Sequence, residues 1–182
     1  IICCHVLYLI NVKCILPYFM KIKVLKFGGT SVGSIEAIKR SANIIYNWSK
    51  KTKVIAVLSA MSGETDRLID LTKSFSKSPN PIDYDNAIST GENLSCALMS
   101  ICLNNQKIKS KSLFSWQIPI LTSSEHMKSR VLSVNHKFLL DQLKYLDVLV
   151  LPGFQGINNK GEVPTLGLSL IHISEPTRQS LI

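Results

Sequence analysis

Near the start of the chain, a pair of glycines separates a short apolar stretch from a helical pattern. The pair belongs to the run Lys26-Phe27-Gly28-Gly29-Thr30-Ser31, which follows residues 22–25 and precedes a helix beginning near Ile35. Adjacent glycines let the backbone approach a polyphosphate closely, and the freed N–H groups and the helix N-terminus point donors at an anion. Lys26 supplies a positive charge that can reach a phosphate. This order predicts a phosphate-binding loop, although the glycine pair alone also fits an ordinary strand-to-helix turn.

Both ends of the chain differ in character from the middle. Residues 1–19 precede the first methionine, Met20, and contain three of the five cysteines without the spacing of zinc ligands. Their apolar run is broken by polar residues and a proline, which argues against a signal peptide or a membrane anchor. We expect residues 1–19 to be non-native upstream translation. Residues 168–182 resemble a translated sequencing adapter, and we expect them to be an artefact.

Composition indicates a globular chain with a basic surface. Hydrophobic residues make up 46% of the sequence and charged residues 18%, a balance typical of folded domains. The formal net charge is +9, but the lysines are scattered and lack interleaved aromatic residues, so we expect no nucleic-acid partner. No hydrophobic run reaches the length of a membrane span, so we expect no membrane partner either.

The cysteines and histidines of residues 20–167 give no sign of a metal site. Cys96 and Cys102 lie six residues apart on a predicted helix and point in different directions, which suits neither a disulfide nor a metal. We therefore expect no protein-bound metal and a reduced, cytoplasmic compartment. His126 and His136 have no cysteine or acidic partner at ligand spacing, and we expect surface or packing roles for both.

Strand and helix patterns alternate along residues 20–167. The patterns predict strands at 22–27, 53–59 and 147–151, helices at 35–48 (capped by Ser34), 65–75, 84–89, 92–103 and 134–146, and strand-like character around 116–119. Continuous apolar strands that alternate with helices predict an α/β fold, a three-layer αβα sandwich with a mainly parallel central sheet. Ligands bind at the carboxyl ends of such strands, so loops 28–31, 60–65 and 153–156 should share one edge.

Four further stretches join the glycine run. They are Ser59-Ala-Met-Ser-Gly-Glu-Thr-Asp66, Ser89-Thr-Gly-Glu92, Ser115-Trp-Gln-Ile-Pro-Ile120 and Gly153-Phe-Gln-Gly156. In this order, the five stretches resemble the catalytic domain of aspartokinases, ATP-dependent enzymes of the amino acid kinase superfamily. The resemblance covers residues 20–167 and implies that they are the N-terminal part of an amino acid kinase catalytic domain.

The resemblance also implies an activity. Aspartokinases phosphorylate the side-chain carboxylate of L-aspartate with ATP and Mg²⁺, the first step of lysine, threonine and methionine biosynthesis, and we expect a homo-oligomer in the full-length enzyme. By the resemblance, Lys26 is catalytic and binds nucleotide together with Phe27, Gly28, Gly29, Thr30 and Ser31. The implied substrate-binding residues are Ser59, Ala60, Thr65, Glu92 and Phe154, with Glu92 suited to the α-ammonium group of aspartate.

Several of these residues also have a purely structural explanation. Ser59 and Thr65 could cap the helix that follows their loop. Glu92 could lie in the first turn of a helix, where the helix dipole favours a carboxylate. Phe154 could belong to the core. Taken together and in the order of the family, the residues favour the functional interpretation.

One departure from the aspartokinase pattern concerns the end of the chain. The family carries a motif of the form T-T-L-G-R-G-G-S-D, whereas Val163-Pro164-Thr165-Leu166-Gly167 is followed here by Leu168. The arginine that grips the substrate carboxylate is therefore absent, and we expect the chain to be inactive alone. The alternatives are another enzyme of the superfamily, such as glutamate 5-kinase or uridylate kinase, or a non-catalytic nucleotide-binding fragment.

Overall fold

The computed structural model describes residues 21–118 and 120–167. The expectations for residues 1–19 and 168–182 lie outside the described residues. The strands are β1 Ile22–Phe27, β2 Lys53–Leu58, β3 Ser110–Ser112, β4 Ile120–Thr122, β5 Val131–Val134 and β6 Val148–Pro152. The helices are α1 Ile35–Ser49, α2 Glu64–Phe75, α3 Pro81–Asn105 and α4 His136–Leu143, with short 3₁₀ helices at Gly29–Val32 and Ser115–Gln117. In this part of the chain, no helix combines the length and the apolar character needed to cross a membrane.

Four of the strands form a parallel sheet in the order β1-β2-β6-β3. Phe27 pairs with Leu58, and Leu58 pairs with Pro152, so the carboxyl ends of β1, β2 and β6 lie side by side. β4 and β5 form a separate antiparallel pair. The central sheet thus has the parallel arrangement that places loops after successive strands at one edge.

Alternate residues of the strands bury two hydrophobic cores, one on each face of the sheet. On one face, Val54, Ala56 and Leu58 of β2 pack with residues of α1 and α3. On the other face, Ile55 and Val57 pack with residues of α4. Each fully buried aliphatic side chain contributes about 1.5–3 kcal/mol. Helices cover both faces of a parallel sheet, so the predicted αβα sandwich is confirmed.

The predicted start of α1 is also confirmed. The side chain of Ser34 accepts a hydrogen bond from the backbone N–H of Ala37 at 3.1 Å, as an N-cap residue does. Farther along α1, the hydroxyl of Ser41 donates to the backbone carbonyl of Ser31 at 2.7 Å. The Ser41 contact ties α1 to the glycine run before it.

The two helices predicted at 84–89 and 92–103 are a single helix, α3. The prediction placed a break between two helices at residues 90–91, but Gly91 lies within the helix, where it allows close packing. A Cβ atom there would lie 3.1 Å from Leu68 Cδ1 and 3.2 Å from Ala60 Cβ. Gly91 therefore allows α2 and the loop after β2 to approach α3 without interrupting it. Glu92 lies mid-helix, and the helix-dipole explanation for it is wrong.

Residues 110–146 differ from their prediction, which contained none of the strands β3, β4 and β5. The helix predicted at 134–146 is shorter, because Val134 pairs with Ile120 as part of β5 and α4 begins at His136. The Asn135 side chain caps that helix by accepting from Phe138 N at 3.1 Å. The strand-like character around 116–119 is also wrong for Trp116 and Gln117, which lie in a 3₁₀ helix. The four residues of β5 show no regular alternation of apolar and polar residues, so they gave little strand signal.

Candidate active site

Three loops meet where β1, β2 and β6 end, as the sequence predicts. The Ser59 backbone N–H donates to the carbonyl of Phe27 at 3.0 Å, and the Gly153 N–H donates to the carbonyl of Leu58 at 3.0 Å. These two bonds continue the sheet by one step and start each loop from the same edge. Loops 28–31, 60–65 and 153–156 therefore share one edge of the sheet.

The glycine run forms a compact turn at this edge. Ser31 N donates to Gly28 O at 2.9 Å, and residues 29–32 form the first 3₁₀ helix. A Cβ at Gly29 would lie 3.2 Å from the carbonyl oxygen of Ala60, so the glycine lets the first two loops pack together. A Cβ at Gly28 would meet nothing within 4 Å. Packing therefore does not explain Gly28, and its open position is where a ligand could approach the backbone.

The loop after β2 ends in a left-handed glycine. Gly63, with φ of +77°, is the N-cap of α2, and no side chain caps that helix. The capping explanations for Ser59 and Thr65 are therefore wrong. Both side chains are half-buried at the edge, and Thr65 lies in the first turn of α2.

The carboxylate of Glu92 reaches the loop after β6 from the middle of α3. The residue is 6% exposed, and its Oε2 accepts hydrogen bonds from Phe154 N at 2.8 Å and Gln155 Nε2 at 3.5 Å. Burial raises the pKa of Glu92 to about 7, against the opposing effects of hydrogen bonds from Phe154, Gln155 and Gly153 and of the Lys26 charge. A buried carboxyl group with a raised pKa ionises most readily when a cationic group lies beside it.

The segment after β6 folds back on itself as an irregular hairpin, residues 153–167. Leu166 N donates to Phe154 O at 2.9 Å, and Gln155 pairs with Thr165. At the tip, Gly161 adopts φ of +78°, and the Asn158 side chain accepts from the backbone N–H of Glu162 at 3.0 Å. The 153–167 hairpin therefore has two arms that run from the sheet edge and back.

Two residues of the first arm are fixed by their surroundings. Gln155 is 2% exposed, donates to Ser89 O at 3.0 Å and accepts from Ser115 Oγ at 2.6 Å. A Cβ at Gly156 would lie 2.4 Å from Thr122 Cγ2, which no side chain could tolerate without a shift. Gln155 and Gly156 of the G-F-Q-G run thus fix the position of the hairpin. Within this run, only Phe154 was expected to bind substrate.

A second buried carboxylate on α3, Asp85, was missed in the sequence. Asp85 is fully buried and accepts hydrogen bonds from His126 Nδ1 at 2.7 Å and from the backbone and side chain of Thr165. His126 also faces Glu162 Oε2 at 3.3 Å. The expectation of a surface or packing role for His126 therefore missed two acidic partners. Its partners are 41 and 36 residues away, so local spacing gave no signal.

The structure brings most of the predicted site residues together. Lys26 lies near enough to Glu92 to influence its charge, and Glu92 in turn binds the Phe154 backbone. Ala60 lies between Gly29 and Gly91. Their roles in binding remain predictions. Among residues 21–118 and 120–167, no group of three or more His, Cys, Asp or Glu side chains is placed to hold a metal ion.

Comparison with known proteins identifies a family over most of the chain. The model of the Amino acid kinase family matches residues 21–172. The chain is 42% identical over 151 residues to an aspartate kinase of Pseudomonas fluorescens (strain SBW25), and 40% identical over 149 residues to an aspartokinase of Geobacillus stearothermophilus. Each alignment covers 81% of this chain and 37% of the relative. The chain thus spans a little over a third of the length of the curated relatives it matches.

Solved structures give the same result for the fold. The crystal structure of an aspartate kinase from Synechocystis matches with a TM-score of 0.63 and 32% identity, over 81% of this chain and 24% of that chain. E. coli aspartokinase III in complex with aspartate and ADP matches with a TM-score of 0.69 over 81% of this chain and 44% of that one. At 21% identity, the second match shows the fold alone. The resemblance noted from the five sequence stretches is confirmed.

Proposed function

The chain belongs to the amino acid kinase family, and we propose that it forms part of an enzyme that phosphorylates the side-chain carboxylate of L-aspartate with ATP. The observation that carries the proposal is the buried Glu92 carboxylate at the shared loop edge, beside Lys26 and the glycine run. At this edge, Lys26 and the glycine run would bind phosphate, and Glu92 would bind a cationic group. The names of the relatives described above support aspartate as the substrate.

The reaction demands charge placement more than proton transfer. The nucleophile is a carboxylate, which is already an anion at neutral pH. Catalysis must bring two anions together and balance the charge of the phosphoryl group. When bound, ATP supplies that group and Mg²⁺ neutralises part of its charge. Lys26 and the backbone N–H groups of residues 28–30 would hold the phosphates at the end of β1.

Glu92 suits the α-ammonium group of aspartate. Its pKa of about 7 means that burial penalises the charged carboxylate at neutral pH. An ammonium group of the substrate would supply the missing counter-charge and favour the ionised form. The backbone of Phe154 already holds one oxygen of the carboxylate in place. We therefore propose that Glu92 favours a ligand that carries an ammonium group.

Several broader properties belong to the same proposal. We propose that Mg²⁺ enters bound to the nucleotide phosphates, as it commonly does. Cys96 and Cys102 are both free, which supports a reducing, cytoplasmic compartment. We also propose that residues 20–167 are the N-terminal part of the catalytic domain and that the longer enzyme is a homo-oligomer.

A hybrid enzyme tests the activity. In the hybrid, residues 21–167 of this chain replace the matching segment of the P. fluorescens aspartate kinase. We expect ATP-dependent formation of an acyl phosphate from aspartate, trapped as the hydroxamate with hydroxylamine, and little product from glutamate. Lys26→Ala in the same hybrid is the matched inactive control. A folded hybrid that phosphorylates glutamate or no amino acid would contradict the proposal.

A further inference from the structure

Helix α3 presents two buried carboxylates to the same hairpin. Asp85 and Glu92 lie seven residues apart, which places them on one face of the helix two turns from each other. Glu92 accepts the backbone N–H of Phe154 in the first arm, and Asp85 accepts the backbone N–H of Thr165 in the second arm. Both arms of the 153–167 hairpin are therefore held by carboxyl groups of one helix.

Both oxygens of the fully buried Asp85 carboxylate accept hydrogen bonds. Its Oδ2 accepts from His126 Nδ1 at 2.7 Å, from Met127 N at 2.9 Å and from Thr165 N at 3.1 Å. Its Oδ1 accepts from the hydroxyl of Thr165 at 2.6 Å. An ionised carboxylate accepts hydrogen bonds and donates none, so four donors satisfy its charge without water.

His126 extends this network to the tip of the hairpin. Its side chain is 10% exposed and lies between Asp85 and Glu162, with Nε2 3.3 Å from Glu162 Oε2. Glu162 in turn accepts from Asn158 Nδ2 at 2.7 Å. A single ring thus joins α3, the segment between β4 and β5, and the second arm. We call Asp85, His126, Glu162 and Thr165 the His126 clamp.

The backbone beside His126 is held in an uncommon conformation. Met127 has φ of +63°, a left-handed conformation that few residues other than glycine adopt. Its N–H donates to Asp85, so the clamp stabilises that conformation. Backbone in such a region persists where its surroundings determine it, and it concentrates at functional sites. Replacing a buried polar network by apolar packing is often neutral for stability, whereas the hydrogen bonds of the network fix the orientation of the groups that they join.

We propose that Asp85 and His126 are positioning residues for the amino-acid substrate. The clamp fixes the second arm, and the second arm fixes the first because Leu166 N donates to Phe154 O. The first arm in turn orients the Glu92 carboxylate through the Phe154 N–H. The inference rests on the proposed function, since the substrate is the one that Glu92 would bind. Neither residue touches the substrate in this account.

Hydrogen exchange in the 182-residue chain tests the clamp without any need for activity. Asp85→Asn should speed exchange at the Thr165 and Met127 amides by about 10- to 100-fold, because each loses a bond to a buried charge. The Ser59 amide within the sheet edge reports global opening and should change little. Asp70→Asn, an exposed aspartate on α2, is the matched control.

Thr165→Val provides a second variant that removes only the hydroxyl contact to Asp85. It should raise exchange at the Thr165 amide by about tenfold and leave Ser59 unchanged. Unchanged exchange at Thr165 in both variants would overturn the clamp. So would an equal rise at Ser59 in Thr165→Val, because the contact would then support only global stability.

The hybrid enzyme tests the consequence for the substrate. His126→Ala should raise KM for aspartate by about tenfold with KM for ATP changed less than about twofold. His126→Asn should recover most of the loss, because its amide can donate to Asp85 in the place of Nδ1. His136→Gln is the control. An unchanged KM for aspartate in His126→Ala would overturn the positioning role, and so would an equal change in KM for ATP.

Failure of the proposed function would give a different result from failure of the clamp. A wild-type hybrid that does not phosphorylate aspartate would contradict the substrate and, with it, the role of the clamp in aspartate binding. The exchange measurements would still decide whether Asp85 orders the hairpin. The exchange and kinetic experiments together therefore distinguish an error in the clamp from an error in the proposed activity.

Discussion

Replacing Glu92 with glutamine should stabilise the unliganded chain at neutral and alkaline pH. Burial raises the pKa of Glu92 from 4.5 to about 7. Between these values, the folded chain keeps a proton that the unfolded chain has released, so stability falls as pH rises through this window. At about 1.36 kcal/mol for each pH unit, the ionised carboxylate costs about 3 kcal/mol above pH 7. Glutamine resembles the protonated side chain and avoids that cost.

Urea unfolding between pH 5 and 8 measures the effect. The difference in the free energy of unfolding between Glu92→Gln and the wild-type chain should be small near pH 5. It should grow to about 3 kcal/mol by pH 8, with the variant the more stable protein.

Glu36→Gln is a control of opposite sign. A backbone hydrogen bond at the start of α1, followed by one from Ser34, lowers the pKa of Glu36. Its carboxylate therefore stabilises the fold above its ordinary pKa, and this contribution is lost as pH falls. The Gln variant at position 36 should be slightly less stable at pH 8. A Glu92→Gln difference that is constant with pH, or that favours the wild type at pH 8, would refute the reasoning about burial.

Three further predictions concern the loops and the extent of the chain. Lys26→Ala in the hybrid should lower kcat by about 100- to 1000-fold while KM for aspartate changes little, because the lysine balances charge that develops during transfer; a loss of ATP affinity alone would argue against this role. Gly156→Ala should lower the free energy of unfolding by about 1–3 kcal/mol, since its Cβ would lie 2.4 Å from Thr122 Cγ2, whereas Gly28→Ala should fold as the wild type does. Thermal unfolding distinguishes the two variants, and equal stability would contradict the packing argument. The 182-residue chain alone should show no measurable aspartate phosphorylation; turnover near about 1–100 s⁻¹ would show that it holds a complete site.

The sequence predicted the parts of the fold that depend on local pattern. The stretches at 22–27 and 53–59 were correctly predicted as strands, and Ser34 marked the start of α1 correctly. β5 was missed because four residues next to a helix give a weak strand signal. Gly91 was misinterpreted for a different reason. A glycine needed for close packing and a glycine needed for a turn look the same in one sequence.

The candidate site divides in the same way. The G-G, T-G-E and G-F-Q-G runs are contiguous, so their residues could be found without a structure. Asp85 and Thr165 are 80 residues apart, and no local spacing connects them to His126. Such contacts depend on the path of the 153–167 hairpin, which is set by tertiary packing around Gly156. The spacing of Asp85 and Glu92 on one helix face was the one available signal.

The steady-state kinetics of Glu92→Ala in the hybrid test the central claim most directly. The claim is that this carboxylate binds the ammonium group of aspartate beside the nucleotide loop. Initial rates at varied aspartate and varied ATP should give a KM for aspartate raised by at least about tenfold, with KM for ATP within about twofold of the wild type. Unchanged aspartate kinetics, or a loss confined to ATP affinity, would contradict the claim.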